Sequence, residues 1–293
     1  MAASHPGRCR RHVRPSLAPV VHESEFQTML DESRRHWWYR GRRRIVGDTV
    51  AGLQLPSPAR ILDAGCGSGA MLDELARFGE VWGVEPNPRG VAAAQRAGHR
   101  AVLRARVEEL PFESGSFDLV TCLDVVEHTL DDRAALAELH RVTRPGGRLL
   151  VTVPAYPALW SHHDVVNGHH RRYVRSTLVD AAATAGWRPL RHTHFNTFFL
   201  APAALVRLTL RKQGERQRRS ELALTPRSLD PLLELPLKAE AAFLRRGFRL
   251  PAGLSLLALF ERPVTEQRRL PAIAEPPSRA PAALAEPARG APR

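Results

Sequence analysis

Asp63, the alternating glycines Gly65, Gly67 and Gly69, and Glu85 about 20 residues further on form a set that can hold a nucleoside-bearing ligand. Glycine admits positive φ and lets a ligand approach the main chain without meeting a Cβ, and a helix start behind it offers unpaired N–H groups. An acid at the position of Glu85 suits the hydroxyls of a ribose, since a carboxylate accepts two protons at once. Gly65, Gly67 and Ala70 also satisfy the dinucleotide pattern G-x-G-x-x-G/A, so spacing alone leaves two cofactor classes open. Asp63 weighs against a pyrophosphate, which it would face with like charge, and suits a ligand whose nearby groups are an ammonium and a sulfonium.

Two further groups carry chemistry. In Asp124-Val125-Val126-Glu127-His128, His128 is a candidate general base because neutral imidazole titrates near working pH; the alternative is that Glu127 and His128 cap the following helix. The stretch from Pro154 to Tyr173 reads as a loop with Trp160, His162, His163, Asp164, His169 and His170, and its Arg171-Arg172-Tyr173 offers a clamp for an anionic acceptor. It follows a strand directly, and ligands of open α/β sheets lie outside the carboxyl ends of the strands. His163 is taken from this loop as a second catalytic candidate.

The elements that must position these groups alternate between strand and helix from residue 59 to 153, which predicts a mostly parallel sheet covered on both faces. Ile61 and Leu62 end a buried strand before the helix from Ala70 to Ala76. Val81 to Glu85, Ala101 to Leu103, Ser116 to Cys122 and Arg148 to Val153 are the following strands. Pro86 to Ala97 and Asp131 to Val142 are the intervening helices. Further on, a helix from Thr177 to Ala185, a strand from Arg188 to His194, an apolar helix from Phe195 to Leu210, a proline-broken helical region from Leu222 to Phe248 and a last strand from Leu254 to Glu261 are expected.

The ordered set Asp63 to Gly69, Gly83-Val84-Glu85, Leu110-Pro111-Phe112 leading to Phe117-Asp118-Leu119-Val120, Asp124 to His128, and Arg144-Pro145-Gly146-Gly147 resembles the class I S-adenosylmethionine-dependent methyltransferases from about Val46 to Gly186. The resemblance implies a doubly wound, mostly parallel, Rossmann-like sheet of seven strands with an antiparallel last strand, an N-terminal helical lid and a C-terminal helical cap. It implies S-adenosyl-L-methionine as cofactor, with Asp63, Gly65, Cys66, Gly67 and Gly69 around its amino acid part and Glu85 on its ribose. Where many relatives hold the adenine with an aspartate, this chain has Arg106-Val107, which leaves the backbone near Val107 and Glu108 and apolar packing. Leu123 and Asp124 line the cofactor and the acceptor pocket, so the catalytic candidates are His128, His163 and Asp124. Asp124, Glu127 and His128 also resemble a metal-holding cluster of some small-molecule and RNA-end methyltransferases, but no metal ligand is assigned.

The chain of 293 residues carries a formal net charge of +13. That excess favours phosphate-bearing partners, although the arginine-, alanine- and proline-rich composition alone accounts for it as well. No nucleic-acid module is recognisable, which speaks against a nucleic-acid substrate. The acceptor is expected to be a small molecule or a lipid- or sugar-linked intermediate, methylated on oxygen. Three scattered cysteines, no apolar leader and no run of ~20 apolar residues suggest a cytoplasmic protein. The apolar run from Phe198 to Leu208 beside arginines would allow peripheral contact with an anionic membrane.

The domains follow as a disordered basic arm (1–21), a helical lid (22–55), the cofactor-binding core (56–194), a cap with the acceptor region (195–253), the last strand (254–262) and a disordered tail (263–293). Clustered Trp37, Trp38, Tyr39 and Arg40 to Arg44 in the lid read as core packing or as a cation–π ligand contact. Two rivals stand beside the methyltransferase. One is a non-catalytic S-adenosylmethionine-binding partner protein, which the missing adenine-site acid favours; the other is a nicotinamide-dependent oxidoreductase, which Asp63 disfavours.

Overall fold

The computed structural model describes Val21, residues 23–210 and residues 226–264; the basic arm before Val21, the charged segment from Arg211 and the tail beyond Val264 lie outside the described residues. Two N-terminal helices, α1 (Glu23–Glu32) and α2 (Trp37–Ala51), precede β1 (Ala59–Ala64), α3 (Ala70–Leu75), β2 (Gly79–Val84), α4 (Pro88–Arg96) and β3 (Val102–Leu103). The chain continues through β4 (Phe117–Leu123), α5 (Asp132–Val142), β5 (Thr143–Pro154), α6 (His162–Val166), α7 (Arg175–Thr184), β6 (Arg188–Phe195), α8 (Leu200–Leu210), α9 (Asp230–Arg245) and β7 (Ser255–Glu261).

Among the described residues the seven strands form one sheet in the order β3-β2-β1-β4-β5-β7-β6. β1, β2, β3, β4 and β5 pair in parallel, while β7 runs antiparallel between β5 and β6. The central β4 is buried along its whole length, as expected of a strand covered by helices on both faces. One face packs Leu136, Leu139 and Val142 of α5 and Leu178 and Ala182 of α7 against the sheet. The other packs Ile45, Val46 and Val50 of α2 with Leu237, Ala241 and Leu244 of α9.

The two helices on that second face come from opposite ends of the chain and touch closely. A Cβ at Gly41 would fall 2.3 Å from Leu237 Cδ1, so only glycine permits this approach. Local chemistry sets the helix starts elsewhere. Asn87 accepts from the Arg89 N–H ahead of Pro88 in α4, and Asp131 accepts from the Ala134 N–H in α5.

Three expectations need correction. The stretch from Pro154 to Tyr173 is not all loop, because Ser161 and Asp164 form a reciprocal cap that starts α6. Phe195 closes β6, paired with Ser255, and α8 begins only at Leu200; strand pairing overrides the apolar run. Pro236 does not break α9, which runs through it because Leu237, Ala241 and Leu244 are buried against the sheet side.

Candidate active site

The glycine turn follows β1 and bends sharply, with φ of 87°, 54° and 78° at Gly65, Gly67 and Gly69. The N–H groups of Gly65 and Cys66 donate to Val84 O at 2.7 and 3.0 Å, which anchors the turn to β2. A Cβ at Gly65 would sit 2.3 Å from Val125 Cγ2, whereas one at Gly67 would meet nothing within 4 Å. Gly67 thus leaves open space on the side where a ligand would approach. Cys66 is buried and burial pushes its thiol well up, so it contributes backbone rather than a thiolate.

Glu85, just past β2, is bound into this turn. Its Oε2 accepts from Gly67 N–H at 3.0 Å and its Oε1 from Asn87 N–H at 2.8 Å. One backbone bond per oxygen fixes the carboxylate and leaves a lone pair on each for ligand hydroxyls. Burial raises Glu85 from 4.5 to about 7, against its backbone bonds to Asn87 and Gly67. Gly90 makes room for it, since a Cβ there would lie 2.7 Å from Glu85 Cγ. Asp63 is buried at the end of β1, accepts from Thr121 Oγ1 at 2.6 Å, and is raised by burial to about 6. Above that pH it keeps its negative charge.

Asp63, Gly65, Cys66, Gly67, Glu85, Val107, Glu108, Leu123, Asp124, His128 and His163 all line one cleft of about 470 Å³. Gly69 lies just behind, at the start of α3. The Glu108 carboxylate is held by Arg106, at 3.0 Å from Nη2, so this part of the cleft offers backbone and the buried Val107 rather than a free acid. The N-terminal helices cross this end: Phe26, Met29 and Leu30 of α1 line the cleft, Ser33 Oγ lies 2.7 Å from Ser68 Oγ, and Arg34 pairs with Asp73.

The other end of the cleft is formed by the segments after β4, β5 and β6 and by α8. Asp124 has φ of 56° and is ion-paired with Arg42 of α2, whose guanidinium lies 5.1 Å from the Trp38 ring centroid and 6.0 Å from that of Tyr39. The lid arginines and aromatics therefore do more than pack the core. His128 ends a tight turn, Val126–His128, and does not titrate near working pH as expected. Burial, with His169 and His170 nearby, pushes it down to about 3 against hydrogen bonds that its ring donates to the backbone at Gly168 and Asn167. Its Nδ1 is buried without a hydrogen-bond partner among the described residues.

The clamp expected of Arg171-Arg172-Tyr173 is not formed. Arg171 and Tyr173 both bind Asp132, at 3.0 and 2.8 Å, and Arg171 also binds Leu130 O, so they fasten the segment to α5. Arg172 Nε and His169 Nδ1 share Asp164 Oδ1 at 2.7 and 2.8 Å. Against the upward push of burial, His169 and Arg172 hold Asp164 well below the ordinary carboxylate range. Their capping box and ion pair are legible in Ser161-x-x-Asp164 only once the loop is known to fold back.

Glu127 is fully buried and both of its oxygens lack a hydrogen-bond partner among the described residues; burial and then Asp124 push it well above its ordinary value. Glu127, His128 and His169 each bring one ligand atom within 4.8 Å of the others. Asp124 is not part of this group, being held by Arg42. Two imidazoles and a carboxylate would suit a borderline divalent cation such as zinc.

An α/β sheet with its last strand antiparallel, an acid-ended second strand tied to a glycine turn and a cleft across the strand tips define a Rossmann-like nucleoside-binding protein. Residues 62–151 match the family model described as a methyltransferase domain. The ubiquinone biosynthesis O-methyltransferase of Xanthomonas oryzae pv. oryzae is 31% identical over 200 residues, 63% of this chain and 77% of that protein. The protein of that name from Methylocella silvestris is 31% identical over 154 residues, 50% of this chain but only 55% of its own length. A chain of the Haloferax volcanii complex between the Trm112 methyltransferase activator and its methyltransferase shares the fold, with a TM-score of 0.54 at 18% identity over 83% of this chain and 95% of that one. Phosphoethanolamine N-methyltransferase 2 of Haemonchus contortus, solved with S-adenosylhomocysteine, does so with a TM-score of 0.51 at 18% identity over 76% of this chain and 53% of that one.

The chain belongs to the class I S-adenosylmethionine-dependent methyltransferases. Its cofactor is S-adenosylmethionine, and the residues present fit that group: Glu85 keeps a free lone pair on each oxygen, Gly67 leaves the approach open and Asp63 retains its charge.

Proposed function

We propose that this enzyme methylates a hydroxyl oxygen of a small-molecule or lipid- or sugar-linked acceptor held between Asp124, the histidine-bearing segment and α8. One observation supports it above others: an unpartnered imidazole nitrogen, His128 Nδ1, belongs to a residue in the wall of the same cleft as Asp63 and Glu85. The residue that carries this proton acceptor and the cofactor cradle thus line one space. The name of the O-methyltransferase relatives points the same way.

When bound, S-adenosylmethionine supplies a methyl group already activated on a sulfonium. Glu85 receives the ribose hydroxyls, Asp63 and the turn from Gly65 to Gly69 surround the amino acid part, and Val107, the Glu108 backbone and Leu123 pack the remainder. α1 and α2 exclude water over the core as a lid, and α8, within the cap, shapes the acceptor side. Arg42 orients Asp124, His163 positions the acceptor, and His128 Nδ1 takes the hydroxyl proton. A nitrogen held so weakly basic suits an acidic hydroxyl, such as a phenol with a pKa of about 10, better than an alcohol. His128→Ala is expected to lower kcat for labelled methyl transfer to an alkylphenol by ~100-fold while the S-adenosylhomocysteine Kd holds. An unchanged kcat would reject this role.

A second reading is favoured by the three buried, unpartnered atoms Glu127 Oε1, Glu127 Oε2 and His128 Nδ1 beside His169. A divalent cation there would satisfy all of them and hold the acceptor oxygen. The same assay after chelation separates the two, because an unaffected rate removes the metal.

The acceptor side also meets the surface through α8. Phe199, Ala203 and Arg207 line the cleft, while Phe198 and Leu205 are about two-thirds exposed, at 67% and 66%. No helix among the described residues is long and apolar enough to cross a membrane. A largely apolar helix beside the cleft, with Arg207 near its end, would instead rest on an anionic surface and admit a lipid-linked acceptor. Sedimentation with anionic vesicles is expected, and the double variant Phe198→Glu/Leu205→Glu should reduce the bound fraction at least several-fold. Wild-type protein left in the supernatant would discard this.

A further inference from the structure

Asn196 follows the last residue of β6 and combines two features that a fold ordinarily avoids. Its φ of 62° lies in the left-handed region, and its side-chain Oδ1 is buried with no hydrogen-bond partner among the described residues, in a residue only 5% exposed. Glycine would accept this backbone without placing an amide there. The side chain belongs to the wall of the cleft, beside Pro154, Leu254, Ser255 and Phe199.

The backbone at this corner is fixed from several sides. Glu240 of α9 accepts from Asn196 N–H at 2.6 Å and from Thr197 N–H at 2.8 Å, and Leu254 N–H donates to Asn196 O at 3.3 Å. Gly253 packs so tightly on β6 that a Cβ there would lie 2.2 Å from Phe195 O. Such bracing lets a strained residue persist, and it holds one polar side chain in place at the cleft.

Sheet order places this corner far from the ribose acid. Glu85 follows β2 and Asn196 follows β6, on opposite sides of the β1, β4 and β5 tips. Asn196 therefore belongs to the acceptor half. A neutral amide donates and accepts, which matches a hydroxyl, and the neighbouring wall of Phe199 against Trp37, ring centroids 4.8 Å apart, is apolar. We propose that Asn196 determines specificity by hydrogen-bonding a second hydroxyl of the acceptor, one that is not methylated. The proposal rests on the reading of this cleft as a hydroxyl-methylating site.

The test compares decylphenol with decyl-substituted dihydroxybenzenes whose hydroxyls are ortho, meta or para, using S-adenosylmethionine and the full chain. Wild type should favour one dihydroxy isomer by ~10- to 100-fold in kcat/KM, because a site built to bond a hydroxyl rejects the analogue lacking it. Asn196→Gly, which suits the left-handed backbone, should bring that ratio close to one, with Tm and S-adenosylhomocysteine Kd unchanged. Asn196→Asp, which keeps the shape and an accepting oxygen, should retain part of the preference. A ratio that persists in Asn196→Gly overturns the proposal, as does an equal loss for every probe together with a lower Tm, which marks a merely structural corner. Wild type that methylates none of the probes overturns the hydroxyl-acceptor reading and this inference with it; a persisting ratio overturns the inference alone.

Discussion

Glu85→Ala is expected to weaken S-adenosylhomocysteine binding by roughly 100-fold, about 2.7 kcal/mol, measured by calorimetric titration at pH 8. The loss has two sources. The ligand's ribose hydroxyls lose a charged acceptor, and the N–H groups of Gly67 and Asn87 lose the oxygens that orient them. Glu85→Gln should fall between, since it keeps the shape and one accepting oxygen. An alanine variant that binds with wild-type affinity would place the ribose elsewhere.

The same group sets a pH dependence with a definite sign. Glu85 is raised by burial from 4.5 to about 7 in the ligand-free fold. Its contribution to stability is therefore fully present below about 4.5 and is lost as pH rises through about 7. Ligand binding has the opposite slope, because ribose hydroxyls need the carboxylate. S-adenosylhomocysteine affinity should rise up to tenfold per pH unit below about 7 and level off above it, with proton release on binding below the midpoint. In Glu85→Gln the slope between about 6 and 7 should disappear, while protonation of Asp63, raised by burial to about 6, still weakens binding below that.

Gly65→Ala is expected to reduce cofactor affinity by 100-fold or more, by a steric route. The φ of 87° disfavours any L side chain, and the new Cβ would fall 2.3 Å from Val125 Cγ2, so the turn must move. Val125 precedes the turn that carries Glu127 and His128, so displacement would reach the acceptor side as well. Combining it with Val125→Ala should recover only part of the affinity, because the clash is relieved and the backbone strain is not. Full binding by the single variant would show that the turn tolerates a side chain and that its glycine is not required by the ligand.

Some of this site is written in local spacing. Asp63, the alternating glycines and Glu85 sit within one strand-turn-helix-strand unit, and a chain segment that short allows little freedom in where they meet. His128 shows the limit of such reasoning: its type suggests a titrating base, but burial among His169 and His170, which arrive from a segment some 40 residues later, makes it weakly basic. The Arg171-Arg172-Tyr173 run likewise looks available in sequence and is spent on Asp132 and Asp164 once folded. Glu127 reads as an ordinary acid, and only its neighbours leave it buried without a partner.

The sequence by itself determined the strand and helix order, the cofactor turn and the acid beyond it, because hydrophobic period, glycine and carboxylate act through near neighbours. Tertiary structure alone decided that α2 meets α9 at Gly41, that His169 joins Glu127 and His128, and that Asn196 is held strained at the cleft wall by Glu240 and Gly253. Each of these joins residues from elements distant in the chain, and burial and pairing energies depend on which groups packing brings together rather than on which residues stand side by side in the chain.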